Sequence, residues 1–289
     1  MKLAAIMPVR NEDWVLGFSA RAALRWCDLL VCLNHASTDR SRAILEELAT
    51  EYPGRVLIVD HEDPEWREME HRQWLLTIAR QYDATHIALV DADEVLCGDS
   101  LPHVRAQIER LPAGRCVNVR MYCMWRGIQQ YRTDPGSVWS NRRDLALAFC
   151  DAPRLAWAAA EDGYQHHARA PQHSRPVHAD DLGVMHLQFA DWRRLKAKHA
   201  LYKVRERLAY PQRPVALIES MYNQALNEVN IEVKTTPWPW LEPYRDIVQH
   251  LNMKRVPWQE AEVQRIVRQH GAGMFAGLTL FGVDRQETR

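Results

Sequence analysis

The first half of the chain alternates short apolar runs with stretches whose apolar residues recur every three or four positions. Only a sheet with helices packed on it accommodates that alternation. Strands are predicted over residues 3–9, 29–33, 55–59, 86–90 and 116–124, with helices over 14–24, 39–51 and 68–82 between them. Ser37 and Thr38 are placed to cap the second helix, and Pro53 and Gly54 to stop it. The expected fold is α/β, with a mostly parallel, Rossmann-like sheet flanked by helices. Residues 151–183, with Pro171, Pro176 and many polar side chains, read as a long loop region near a site. Residues 191–208, 215–229 and 258–269 read as helices, giving a helical C-terminal portion. At 289 residues, without a repeat or flexible linker, the chain is expected to form one domain.

Thirty-seven basic and thirty-seven acidic residues cancel, so no global field favours nucleic acid or an anionic membrane. No apolar run approaches the roughly 18–20 residues of a membrane-spanning helix, and residues 274–283 form the longest candidate. The N-terminus does not resemble a signal peptide, because charged residues follow Pro8 at once, so a cytoplasmic location is expected. Six cysteines without a C-x-x-C pair read as reduced and mostly structural.

The fourth strand ends in Asp91-Ala92-Asp93-Glu94. Side chains two apart on an extended chain project to the same side, so Asp91 and Asp93 share one volume. Their repulsion is relieved by a cation, and oxygen ligands suit Mg²⁺ or Mn²⁺. Ligands of open α/β sheets bind at the carboxyl ends of strands, where this cluster falls. Two other strand ends carry polar turns able to hydrogen-bond a base or ribose: Pro8-Val9-Arg10-Asn11-Glu12 and Asn34-His35-Ala36-Ser37-Thr38-Asp39. Helix capping is the competing role for both, and Ser37, Thr38 and Asp39 are expected to do some of it.

Together these three segments resemble the family 2 glycosyltransferases of the A-type (GT-A) fold, in particular the soluble bacterial branch whose metal motif reads D-x-D-E. The resemblance covers about the first 95 residues: Pro8 to Glu12 looks like the family's P-V-x-N-E, Asn34 to Asp39 like its D-x-x-S-T-D, and Asp91 to Glu94 like the metal motif. Asn34 and His35 depart from the commoner paired aspartates. The resemblance implies a metal-dependent transferase moving one sugar from a nucleoside diphosphate sugar, with inversion, to an acceptor the sequence does not name. Pro8, Val9, Arg10, Asn11, Glu12, Asn34, Ser37, Asp39 and Asp91 are then expected at the nucleotide, and Asp91 and Asp93 at a Mn²⁺ or Mg²⁺ ion. It also implies a nucleotide-sugar half at 1–125, an acceptor and metal-completing region at 126–190, and the helical portion at 191–289.

His186 precedes a strongly basic helix and is expected to complete the metal shell, with packing or capping as its alternative. Arg193, Arg194, Lys196, Lys198, Lys203, Arg205 and Arg207 of that helix either neutralise a departing diphosphate or form a solvated face. Inverting transfer needs a carboxylate base. Glu161-Asp162 resembles the family's E-D element, with Asp162 favoured as catalytic residue, and Asp180-Asp181 is the other available pair. The histidines of residues 157–178 lack the spacing of a zinc ligand set. Gln188 to Trp192 is similar to the Q-x-x-R-W of processive synthases, but Asp191 replaces the arginine, which argues against processive synthesis. The rival readings are a catalytically inactive nucleotide-binding scaffold and a nucleotidyltransferase. The second needs a glycine-rich phosphate loop after the first strand, and residues 7–13 contain no glycine.

Overall fold

The computed structural model describes residues 1–284 apart from 136, 138, 141 and 159–168. The chain runs β1 (Leu3–Val9), α1 (Leu16–Ala23), β2 (Leu29–His35), α2 (Ser41–Glu51), β3 (Val56–His61), α3 (Glu68–Gln81), β4 (His86–Leu89) and β5 (Glu94–Leu96). It continues through α4 (Leu101–Glu109), β6 (Arg115–Cys123), β7 (Gln130–Arg132), β8 (Leu145–Cys150) and β9 (Arg175–His186). The C-terminal part holds α5 (Trp192–Ala209), α6 (Val215–Asn223), β10 (Val233–Thr235), α7 (Trp238–Leu241) and α8 (Trp258–His270).

Eight strands form one mixed sheet in the order β3-β2-β1-β4-β8-β6-β9-β5, while β7 and β10 make a small antiparallel ribbon. The first four strands are parallel to one another; β8 runs antiparallel to both β4 and β6, and β5 antiparallel to β9. Strand parity explains the layering. Leu3, Ala5, Met7 and Val9 of β1 pack with Leu16 and Ala20 of α1, Leu45 and Leu48 of α2, and Val104 and Ile108 of α4. Ala4 and Ile6 face the other way, onto Leu75, Leu76 and Ala79 of α3. The sheet therefore lies between helices on both faces, as the near-continuous apolar strands require.

The order reverses between β1 and β4, because β2 and β3 lie to one side of β1 and β4 to the other. At such a switch point the loops after adjacent strands part and leave a crevice. Residues 10–12 and 91–93 follow β1 and β4 there.

Three local expectations differ from the structure. Neither Ser37 nor Thr38 caps α2: it starts at Ser41, whose amide donates to Asp39 Oδ1 at 2.8 Å, and Ser37 and Asn11 bond across the turns instead. The helix expected over 215–229 stops at Asn223, followed by a 3₁₀ turn. The expected loop region contains β9, whose pairing with β6 slips between Val119 and Arg120, so that residues 180–182 bulge out. Among the described residues no helix is long and apolar enough to cross a membrane. All six cysteines are free.

The C-terminal segment is pinned to the strand that carries the acidic turn. A Cβ on Gly98, just after β5, would lie 2.6 Å from Pro239 O and 2.6 Å from Pro243 Cδ. Gly98→Ala is expected to destabilise the fold by about 1–3 kcal/mol, read from urea melts; an unchanged midpoint would show that this contact is soft.

Candidate active site

Two strained turns form the floor of the crevice. Asn11 after β1 and Ala36 after β2 have positive φ, at 54° and 46°, which costs about 1 kcal/mol for a residue with a side chain. The turns are stitched to each other. Asn11 Oδ1 accepts from the Thr38 and Asp39 amides at 2.6 and 3.2 Å, and Ser37 Oγ accepts from the Asn11 amide at 3.1 Å. Asp39 Oδ2 accepts from the Asp13 amide at 3.0 Å and Ser41 Oγ from the Glu12 amide at 2.8 Å. Asn11, Ser37 and Asp39 thus spend much of their hydrogen-bonding capacity on turn geometry. Asn34 donates to Asp60 at 2.8 Å, and its buried Oδ1 has no partner among the described residues. Val9 is fully buried in the core and offers a ligand only its backbone.

The acidic turn after β4 is balanced by cations of the protein itself. Arg72 of α3 reaches Asp91 Oδ1 at 3.3 Å, and Arg169 reaches Asp91 Oδ2 at 3.1 Å. Arg169 also grips Glu94 with both terminal nitrogens at 2.5 Å and donates to the carbonyls of Leu89 and Ala146. Burial opposes ionisation of Asp91, but Arg169 and Arg72 outweigh it and hold the carboxyl below its usual range, against repulsion from Asp93. Glu94 lies above its usual range because burial and Asp91 outweigh Arg169. The repulsion between Asp91 and Asp93, for which a bound cation is the relief expected from the sequence, is thus offset in part by the protein's own arginines on Asp91.

Asp93 belongs to a second group. Its Oδ1 is 3.5 Å from His186 Nε2 and its Oδ2 3.9 Å from Lys198 Nζ. His186 arrives through strand pairing: β5 and β9 are antiparallel with Glu94 opposite His186, and the Leu187 amide donates to Asp93 O at 2.8 Å. Burial disfavours charge on both partners, yet each outweighs it for the other. Asp93 falls below the usual carboxylate range, and His186 is pushed up to about 10. The ring therefore gives up a proton on ligating a metal. A carboxylate beside an imidazole suits Mn²⁺ or a similar divalent ion, and Asp93 and His186 fit one better than Asp91, whose two oxygens are held by arginines that keep their charge.

Glu12, Trp14, Gln188 and Arg194 line a small cavity with Asp93 and Lys198. Gln188 Oε1 accepts from Lys198 Nζ at 3.1 Å, and the Arg194 guanidinium sits 4.7 Å over the Trp14 ring. Burial and then Asp93 push Glu12 up to about 7, against Lys198, Arg194 and the 2.6 Å bond from Trp14 Nε1.

Of the seven cations predicted on α5, Arg194 and Lys198 face this acidic group. Arg193 pairs with Glu260, Lys203 with Glu219 and Arg205 with Glu262, while Arg207 donates to backbone carbonyls. Asp191 caps α5 by accepting from the Arg194 amide. Asp180 and Asp181 stand exposed in the β9 bulge, with Asp181 bonded to Gln107 of α4. Glu161 and Asp162 lie outside the described residues. Arg72 and Arg169 were missed by the sequence reading. Arg72 sits one turn after Glu68 on a helix already recognised, whereas nothing local marks Arg169.

No family model and no curated protein matches the chain. Among solved structures it is similar to S. aureus TarS 1–349, at 12% identity over 98% of this chain and 87% of that one, with a TM-score of 0.46. It is also similar to the Pyrobaculum calidifontis mannosyltransferase PcManGT in complex with GDP-Man and Mn²⁺, at 13% identity over 95% and 78% of the chains and a TM-score of 0.42. A further likeness is to GalNAc-T7 with UDP, GalNAc and Mn²⁺, at 13% identity over 93% and 58% and a TM-score of 0.39. Identities this low leave the chemistry to be read from the chain's own side chains.

Two outcomes test the charge arrangement. Arg169→Met strands the carboxylates of Asp91 and Glu94, and should cost about 3–5 kcal/mol in chemical denaturation at pH 7. Glu12 has a folded pKa above its unfolded value of 4.5, so its contribution to stability is present below pH 4.5 and is lost as pH rises through about 7. Glu12→Gln should therefore match the parent below about pH 4.5 and gain about 3 kcal/mol above pH 7, in chelator-treated protein melted across that range. A pH-independent difference would mean that Glu12 is not the titrating group.

Proposed function

We propose that the protein is a glycosyltransferase that moves one sugar from a nucleoside diphosphate sugar to an acceptor, aided by Mn²⁺ or Mg²⁺. One observation carries this reading: Asp93, at the switch point of the sheet, stands against His186 and within reach of Lys198, so a metal-ligand pair and a phosphate-binding cation share one crevice. The turns after β1 and β2 open onto that crevice. Pro8, Arg10, Asn11, Glu12, Asn34, Ser37 and Asp39 would hold base and ribose, partly through backbone groups because several side chains are spent on the turns. Asp91, fixed by two arginines, would accept from the ribose and stand second in line as a metal ligand.

A divalent ion bound by Asp93 and His186 supplies charge neutralisation to the diphosphate. Lys198 and Arg194 add positive charge on the leaving-group side, where negative charge grows as the glycosidic bond breaks. Gln188 keeps the Lys198 ammonium turned toward Asp93. Inversion of the anomeric centre is part of the proposal, with Asp162 or Glu161 as the base that takes the acceptor's proton. In this reading residues 1–125 hold the donor, 126–190 the acceptor and metal-completing groups, and 191–289 the supporting helices, within one domain.

The experiment is a panel of nucleotide sugars with Mn²⁺, followed by donor hydrolysis and thermal stabilisation. One donor should turn over only with metal. Asp93→Asn should reduce that rate by about 10² or more, and Lys198→Met should lower kcat more than it raises KM. Metal-independent nucleotide binding without turnover by the parent would instead favour a scaffold.

A further inference from the structure

Three histidines distant in sequence meet at the sheet edge beside the crevice: His35 at the end of β2, His61 at the end of β3, and His71 in the first turns of α3. One ring nitrogen of each lies within 4.8 Å of one from each of the others. His35 and His71 are almost fully buried, at 0% and 3% exposure. Their ring centroids are 4.6 Å apart, with His61 5.6 and 5.0 Å from them, and the indoles of Trp66 and Trp74 pack around the group.

We propose that His35, His61 and His71 form a binding site for a zinc-like transition-metal ion, separate from the Asp93–His186 group. This site does not depend on the transferase reading. Its chemistry differs from the acidic crevice, because three imidazoles select Zn²⁺, Co²⁺ or Cu²⁺ over the oxygen-seeking Mg²⁺.

The hydrogen bonds around the rings are those of a ligand shell. The loop between β3 and α3 presents its carbonyls to two of them: Asp63 O lies 3.2 Å from His61 Nδ1 and Glu65 O 3.0 Å from His35 Nε2. A carbonyl accepts only, so each of those nitrogens is the N–H, and in the neutral ring the opposite nitrogen carries the lone pair. Metal-bound imidazoles are commonly oriented in this way. His71 supplies the independent sign. Both its ring nitrogens are buried without a hydrogen-bond partner among the described residues, which costs about 1–3 kcal/mol for each group left unmade. A metal–nitrogen bond would satisfy one of them.

Tetrahedral zinc, with Zn–N near 2.0–2.1 Å, needs ligand nitrogens about 3.3 Å apart, so the rings have to close by an ångström or so. Three protein ligands leave a fourth position for water or another donor. Arg10 competes for the site: its Nη1, which donates to Pro64 O, also lies 3.4 Å from His35 Nδ1 and must move aside.

The test uses untagged, chelator-treated full-length protein titrated with Co²⁺, then Zn²⁺. The parent should develop the visible bands of four-coordinate cobalt and lose them on zinc addition. His61→Gln and His71→Gln should weaken the binding that gives the four-coordinate bands at least about tenfold, Asp93→Asn should leave those bands unchanged, and Arg10→Ala should tighten the same binding. Because His71 is buried, folding of each variant is checked by circular dichroism, and half-buried His61 carries the comparison if His71→Gln does not fold. Absence of the bands in the parent overturns the proposal. So does equal affinity in folded His61→Gln, or a cobalt signal that follows Asp93 instead of the histidines. The same holds if nucleosides shift the histidine ring NMR signals while Zn²⁺ does not, which would make the cluster a base-binding surface.

Discussion

Charge compensation at the carboxyl end of β4 is the constraint on which the site depends. Asp91, Asp93 and Glu94 lie within four residues of chain. Packing them together is tolerable because cations come from elsewhere: Arg72 from α3, Arg169 from the segment before β9, His186 from the end of β9 and Lys198 from α5. Four separate parts of the chain are thereby tied to one turn. The cluster is also divided. Asp91 and Glu94 are taken up by arginines that cannot lose their charge, while Asp93 faces a histidine and a lysine. That division makes Asp93, rather than Asp91, the better placed metal ligand.

The strained turns serve the same end. Asn11 and Ala36 occupy left-handed backbone conformations that residues with side chains rarely adopt, and the bonds between Asn11, Ser37, Thr38 and Asp39 hold them there. Backbone held in this way stays put when a ligand arrives, so the floor of the crevice is built before anything binds. The histidine cluster lies next to this floor: His35 follows Asn34, and His71 precedes Arg72, which binds Asp91. The crevice and the imidazole cluster thus share α3 and the end of β2.

Much of the framework was legible in the sequence. The predicted strand over residues 3–9 coincides with β1, and the helices over 68–82 and 258–269 with α3 and α8 to within a residue at each end, because apolar periodicity there is strong. The bulged strand β9 was not legible: Pro176 and the acidic pair Asp180-Asp181 break the alternation, and its pairing with β6 is visible only in three dimensions. The basic stretch of α5 was recognised, but which two of its seven cations turn toward Asp93 depends on how the helix rolls against its neighbours.

By itself the sequence determined the α/β layering and the placing of Asp91 and Asp93 at a strand end, since both follow from local periodicity and from where a strand must stop. Tertiary structure decided which partners those carboxylates meet. The antiparallel register that sets Glu94 opposite His186 joins positions about ninety residues apart, and the convergence of His35, His61 and His71 joins two strands and a helix. Contacts of that kind depend on long-range pairing and packing, which leave no periodic mark on the residues that make them.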